Sequence, residues 1–413
     1  MPLSRTSDLD PRTFLRPAPS PAVVSFRASW PAWPDFAGGE DLLYRLVVRL
    51  LDKGTRHRSR FEIAEWLEGR GASLSFYTDG YRLGFSGRAL RADLADVLAL
   101  AAEQLAEPAL DPVEFVKAQA WLDAAIRSAE EDAGAQADAA LSRALYHPTH
   151  PHFERDFPEE RARLAAFTHA DVEEAHRRAF RRPALTLALA GDVESLREDE
   201  LLARFESADP AAAPDAIPPA RHTPGTTDVP LPGKVSFDVR LGHGLALRRT
   251  DEDFLPLRMA VFALGGNFSS RLMQTVRDVH GLTYGIGASL SGLDAYHDGH
   301  VEVSVTLSPE NLDRGVAVTR EVVAQFVEEG ISEAEVETVR TTLAGTHLVG
   351  LSTSGGTAAA LLHAVEQGLG SAYLDALPGL LAAISREEIN RVLRRHLDPD
   401  ALYLVRAGTW SKG

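Results

Sequence analysis

Apolar and polar positions in the first part of the chain follow two periods in turn. Phe61, Ile63, Ala64 and Leu67 share one side of a segment from Arg60 to Glu68, which predicts an amphipathic helix. Gly69 and Gly71 come next, and ASLSFYTDGYRLGFSGRAL then alternates as a hairpin does. The stretch ADLADVLALAAEQLA returns to helical spacing. A further helix opens at DPVEFVKAQAWLDAAI, with Asp111 as N-cap and Pro112 in the first turn, where a missing N–H does no harm. PALTLALAGDVE reads as a strand that meets a turn at Gly191 and Asp192.

The same order returns further on. Leu272, Val276 and Val279 recur at helical spacing between the polar Arg271, Gln274, Arg277 and Asp278. Gly281 stops that helix, Leu282 to Leu290 predicts a small-residue strand, and VEVSVTL ends a second strand. Two helices come after it, PENLDRGVAVTREVVAQFVEEG and SEAEVETVRTTLAGTHL, the second capped by Ser332, and ALYLVRAG is the last strand. The offset between the halves is about 210 residues at the glycines, the mark of an internal repeat. Between them, residues 207–234 are dense in Pro, Ala, Gly and Thr, unsuited to a helix or a central strand, and read as an exposed connection. The expected organisation is α+β: a half-domain at 15–206, a linker at 207–234 and a second half-domain at 235–413, each a mainly antiparallel sheet with helices on one face.

Composition narrows the chemistry. The chain carries 43 basic and 59 acidic side chains, a formal charge of −16, which argues against nucleic acid or an anionic membrane as partner. It has no cysteine, so disulfides and thiolate metal sites are excluded. The N-terminus shows no signal-peptide pattern, and no stretch approaches the roughly 20 apolar residues of a membrane span. The expectation is a cytoplasmic protein.

The stretch from Gly265 to Gly292, GGNFSSRLMQTVRDVHGLTYGIGASLSG, is the most telling. It resembles the C-terminal half-domain of the pitrilysin/insulinase-like zinc metallopeptidases, the inverzincins, and the likeness extends from about residue 20 to residue 410. In that family an Arg and a Tyr around such a turn hold the substrate backbone or its terminal carboxylate. The matching residues here are Arg277 and Tyr284. The resemblance also implies a His-x-x-Glu-His helix that binds zinc, a Glu on a later helix as third ligand, and a Lys-Gly-Thr-like marker downstream. The marker is Lys53-Gly54-Thr55. Counting back from it places the motif on Arg45-Leu46-Val47-Val48-Arg49, with Arg at both ligand positions and Val48 at the base. The later Glu falls near Ala118 or Gln119, before Asp123. An always-protonated guanidinium cannot ligate zinc and a valine cannot take a proton. No metal is therefore expected on this chain.

Other groups carry less. LYHPTHPHF, with His147, His150 and His152, is broken by prolines and reads as a surface loop whose histidines are structural or incidental rather than metal ligands. His57, His280 and His347 are isolated. Ser354-Gly355-Gly356-Thr357 suggests a helix break or close packing, and Glu130-Glu131-Asp132 a solvated charge run. Gly265-Gly266-Asn267 lacks the continuation of a phosphate loop, and no nucleophile elbow is present. The resemblance implies half of a clamshell: a non-catalytic subunit whose Arg277 and Tyr284 position an unfolded peptide for zinc on a homologous partner. The alternative it leaves open is a zinc-free scaffold or peptide-binding homodimer.

Overall fold

Two five-stranded sheets organise the chain, one from each half. The computed structural model describes residues 13–18, 22–181, 184–194, 196–205 and 217–410. The first half runs β1 (Thr13–Pro17), β2 (Val23–Pro31), α1 (Glu40–Leu51), α2 (Arg60–Glu68), β3 (Ser73–Asp79), β4 (Arg82–Leu90), α3 (Leu94–Ala106), α4 (Pro112–Glu131), α5 (Ala133–Leu145), α6 (Phe157–Ala166), α7 (His169–Ala179), β5 (Thr186–Gly191) and α8 (Glu198–Leu202). The second runs β6 (Thr226–Pro230), β7 (Phe237–Leu245), α9 (Phe254–Gly265), a π-helix (Met273–Val279), β8 (Ile286–Ser291), β9 (Gly299–Leu307), α10 (Leu312–Glu329), α11 (Glu333–Gly350), α12 (Ser354–Glu366), α13 (Tyr373–Ala383), α14 (Arg386–His396) and β10 (Tyr403–Gly408).

The strand orders are β1-β5-β2-β4-β3 and β6-β10-β7-β9-β8. β1 and β6 join their sheets parallel, and all other pairs are antiparallel. The repeat is therefore complete: α1 to α7 correspond in order to α9, the π-helix and α10 to α14. The 207–234 stretch is not all connection. Its residues 207–216 lie outside the described residues, but Thr226–Pro230 forms β6. An edge position tolerates Pro230, which has no N–H for a ladder. The acidic run also reads differently in place, since Glu130 and Glu131 end α4 and the Asp132 side chain caps α5 by accepting from the Ala135 amide at 2.8 Å.

Each sheet has one conventional core. In the first half Val24, Phe26, Ala28 and Trp30 of β2 meet Leu42, Leu46, Val47 and Leu50 of α1. In the second, Phe237, Val239 and Leu241 of β7 meet Leu257, Ala260 and Leu264 of α9. Periodicity left the other face of each sheet bare, and here the structure differs. The halves exchange a helix: α5 lies on β7 and β10 of the second sheet, and α12 on β2 and β5 of the first. Both helices are rich in small residues, AGAQADAALSRAL and SGGTAAALLHAVE, and so are the facing strands. A Cβ on Gly242 of β7 would approach Leu141 of α5 to 3.3 Å. Gly356 marks the predicted helix break, where a Cβ would collide with the Gly350 carbonyl oxygen between α11 and α12.

Polar pairs fasten the exchanged helices. Asp138 of α5 accepts from Arg240 Nε of β7 at 2.5 Å, and Ser354 of α12 meets Ser25 of β2 at 2.9 Å. Glu366 of α12 takes Arg82 Nε at 2.9 Å and the Ser29 hydroxyl. Arg82 and Glu366 side chains are 13% and 14% exposed, so neither charge has much water. Glu366→Ala is expected to strand the Arg82 guanidinium at this junction and destabilise the chain by about 3 kcal/mol in urea unfolding.

His243 of β7 is buried, its Nε2 accepting the Asp398 amide at 3.1 Å while Nδ1–H donates to the Gly244 carbonyl at 2.9 Å. A proton on Nε2 would set donor against donor. Burial pushes the imidazole pKa down to about 4. A folded-state value below the unfolded one, about 6.5, means this contribution is intact above pH ~6.5 and lost as pH falls through about 4. Histidine ring NMR is expected to show His243 still neutral near pH 5.5, about one unit below the unfolded pKa.

Candidate functional site

The segment around Arg277 is built from two tightly fixed turns. Gly265 closes α9 against β8, and a Cβ there would collide with the Ala288 amide nitrogen. Asn267 then orders the next turn: its Oδ1 accepts from the Ser269 amide at 3.0 Å, and its carbonyl accepts from the Ser270 hydroxyl at 2.6 Å. Gln274 Nε2 closes the loop by donating to the Ser269 carbonyl at 2.8 Å. Arg271 anchors the helical segment itself, forking onto Glu335 of α11 at 2.7 and 2.9 Å and reaching Glu329 at 3.0 Å.

The predicted helix is present but is wound as a π-helix from Met273 to Val279. The His280 amide bonds the Thr275 carbonyl at 3.0 Å, five residues back, and Gly281 at φ +61° ends the run. Leu272 and Val276 are buried as periodicity implies, and so is Met273, but Val279 is 75% exposed. Such wide turns shift side chains off the regular helical face and recur at functional sites. Beyond the turn, the Thr283 hydroxyl bridges the Thr306 carbonyl at 2.6 Å and the Gly285 amide at 3.1 Å, fixing the backbone on either side of Tyr284.

The structure brings Arg277 and Tyr284 together. The Arg277 guanidinium carbon lies 5.2 Å from the centre of the Tyr284 ring, and Tyr284 is 89% exposed. It also lies 5.5 Å from the ring of Phe268, a residue that sequence patterning passed over and which is 76% exposed. Among the described residues the carboxylate within ion-pair range of it is Asp278, 4.0 Å away at the limit of ion pairing. The guanidinium thus lies over two aromatic rings, with its side chain 31% exposed. A carboxylate or a peptide carbonyl fits its donors, and the Tyr284 phenol supplies one more.

The positions expected to be a degenerate metal motif have other engagements. Arg45 of α1 donates to Glu160 of α6 at 2.9 Å. The Arg49 guanidinium stacks 3.3 Å from the Trp121 ring centre on α4, and Val48 between them is half-buried. Of the residues near the expected third ligand, Ala118 is buried, Gln119 donates to the Leu164 and Phe167 carbonyls, and Asp123 is paired with Arg161 and Arg127. This donor set does not fit zinc. Beside α1 is a cavity of about 330 Å³ bordered by Asp41, Arg45, Glu154, Arg155 and Glu160. Burial of its carboxyl and the neighbouring Asp138 and Glu160 push the Glu154 pKa up to about 7.

The histidine loop is not the surface feature its prolines suggested. His147 is exposed and bonds Thr149, but His150 is fully buried and stacks 4.3 Å from Tyr146. The His152 and His297 rings lie 5.2 and 5.5 Å from that of His150, so the loop of one half meets the 291–300 turn of the other. His152 Nε2 contacts the Gly292 carbonyl at 2.8 Å and His297 Nδ1 the Asp294 carboxylate at 2.9 Å. His150 Nε2 faces Asp298 at 3.4 Å without a hydrogen bond. The cluster is a seam between halves. Among the described residues no group of three or more His, Asp or Glu could hold a metal ion. No sequence signal joined His297 to this loop, because the two are brought together only by the docking of the halves.

Comparison with known proteins agrees with this architecture. A model of the peptidase M16 inactive domain matches residues 166–343, and one of insulinase (peptidase family M16) matches residues 45–151. An uncharacterized zinc protease of Mycobacterium tuberculosis is 27% identical over 317 residues, 75% of this chain and 70% of that one. The Helicobacter pylori non-peptidase homolog YmxG is 22% identical over 387 residues, 88% of this chain and 85% of its own. Among solved structures, a peptidase M16 inactive domain from Pseudomonas fluorescens superposes with TM-score 0.83 at 20% identity, covering 97% of this chain and 95% of that one. The periplasmic protease PqqL of Escherichia coli gives 0.78 at 18% identity over 96% of this chain but 44% of its own. The donor set at α1 predicts a metal test: calorimetric titration with zinc is expected to show no stoichiometric binding, and chelator treatment no change in Tm. One equivalent of bound zinc would overturn that assignment.

Proposed function

The chain belongs to the insulinase/pitrilysin family of M16 peptidases, and on that premise we propose that it is a peptide-holding subunit that does not itself hydrolyse. The observation that carries this is the contrast between the two ends of the repeat. On α1, Arg45 and Arg49 are bound to Glu160 and Trp121. At the end of the π-helix the half-buried Arg277 lies beside the exposed Tyr284. The guanidinium fork would grip a backbone carboxylate or carbonyl, with the phenol beside it as second donor. β8, which closely succeeds Tyr284, is an outer strand of its sheet, and β3 is an outer strand of the other. Either edge offers an extended peptide a ladder of backbone bonds.

Hydrolysis would then fall to a homologous partner that carries zinc, the two chains facing each other as halves of a clamshell. The match to less than half of PqqL supports this, since a single chain there leaves room for a second such unit. The other reading, a zinc-free scaffold or a peptide-binding homodimer, draws support from the likeness to a non-peptidase homolog over 88% of the chain.

Mixing this chain with the zinc-motif homologue of its own organism tests the first reading. Neither alone is expected to cleave an unstructured fluorogenic peptide, whereas the mixture is. Arg277→Ala in the mixture is expected to lower kcat/KM by about 10²-fold, the scale for a lost positioning contact. Chelator-sensitive cleavage by this chain alone would sink the proposal, and inactivity of every mixture, with peptide still bound, would favour the scaffold reading.

A further inference from the structure

Phe268 is a large apolar ring on a loop that has no freedom to hide it. Asn267, Ser269, Ser270 and Gln274 lock that loop by hydrogen bonds on both sides of the residue. Phe268 is nevertheless 76% exposed, and Val279, close in sequence to Arg277, is 75% exposed. Phe268 and Tyr284 both lie within cation–π distance of one guanidinium, at 5.5 and 5.2 Å. An anion that meets the in-plane donors of Arg277 must therefore sit beside two exposed aromatic surfaces. The cation selects the charge, and among the described residues its one carboxylate within ion-pair range is Asp278 at 4.0 Å. The rings select what is attached to it.

We propose that Phe268 is a specificity-determining wall of this site, receiving the apolar, preferably aromatic, side chain of the residue whose carboxylate meets Arg277. The ligand class is a peptide ending in Phe, Tyr or Leu. This rests on Arg277 and Tyr284 holding peptide, as proposed above. Burial of a ligand ring against Phe268 adds contact that a terminal Gly cannot make.

The test is fluorescence anisotropy of the purified full chain with labelled hexapeptides that differ only in a C-terminal Phe, Leu or Gly. The Phe-ended peptide is expected to bind roughly tenfold tighter than the Gly-ended one. Phe268→Ala is expected to bring that ratio to within about twofold, and Phe268→Tyr to restore it. Arg277→Ala is expected to weaken every peptide. If Phe268→Ala keeps the full preference while Arg277→Ala weakens binding, the wall is wrong and the Arg277 site stands. If Arg277→Ala binds like the parent chain, the site itself is wrong. A parent chain that binds none of the peptides overturns both. A thermal melt confirms that each variant is folded, as expected for so exposed a ring.

Discussion

The exchange of α5 and α12 is the constraint on which the rest of the structure depends. A five-stranded sheet has two faces, and each half supplies its own helices to only one of them. The second face is closed by the other half's small-residue helix, seated on glycine, alanine and serine. Neither half can therefore bury both faces alone. The junction is not purely apolar: Arg82–Glu366, Arg240–Asp138 and Arg16–Asp375 all cross it. Buried or half-buried ion pairs add little net stability, but they penalise any misaligned docking, because a slipped helix would leave charges unpaired. The histidine seam at His150, His152 and His297 is a further product of the same docking.

Within this frame the two halves use one design differently. Ser59-Arg60 begins α2, and Arg60 pairs with Glu114 of α4. Ser270-Arg271 begins the matching segment, and Arg271 pairs with Glu335 of α11. The anchoring arginine and its carboxylate are thus kept in both copies. Past that anchor the copies diverge: α2 stays regular, while the second copy widens into a π-helix and sets Arg277 against Phe268 and Tyr284. The exposed cluster sits on one copy of a duplicated element without disturbing the anchor that holds it.

The first copy shows the reverse change. Arg45 and Arg49 of α1 are satisfied by an acid and an indole rather than free to act. Their pairing gives a physical reason for the fold to accommodate two arginines on one helix. A guanidinium between helices needs a carboxylate or an aromatic face, and α6 and α4 supply one each.

Much of this was legible beforehand because it is local. The capped helix starts at Asp111 and Ser332, the hairpin from Ser73 to Leu90, the turn at Gly281 and the order of the repeat all come from short-range periodicity and capping. Arg277 and Tyr284 were singled out by the family resemblance rather than by spacing, and their meeting in space depends on a turn of backbone that only the folded chain displays. Phe268 was passed over because a lone apolar residue in a loop has no period to betray it. His150 was misread because burial of a loop depends on what docks over it. The edge strand at Thr226–Pro230 was missed because prolines argue only against central strands. Residue order alone thus carried the elements, their duplication and the chemical groups available. Which faces close on which, and so which groups end up buried, paired or open, emerged only on folding, because the exchanged helices make their contacts with strands far away along the chain.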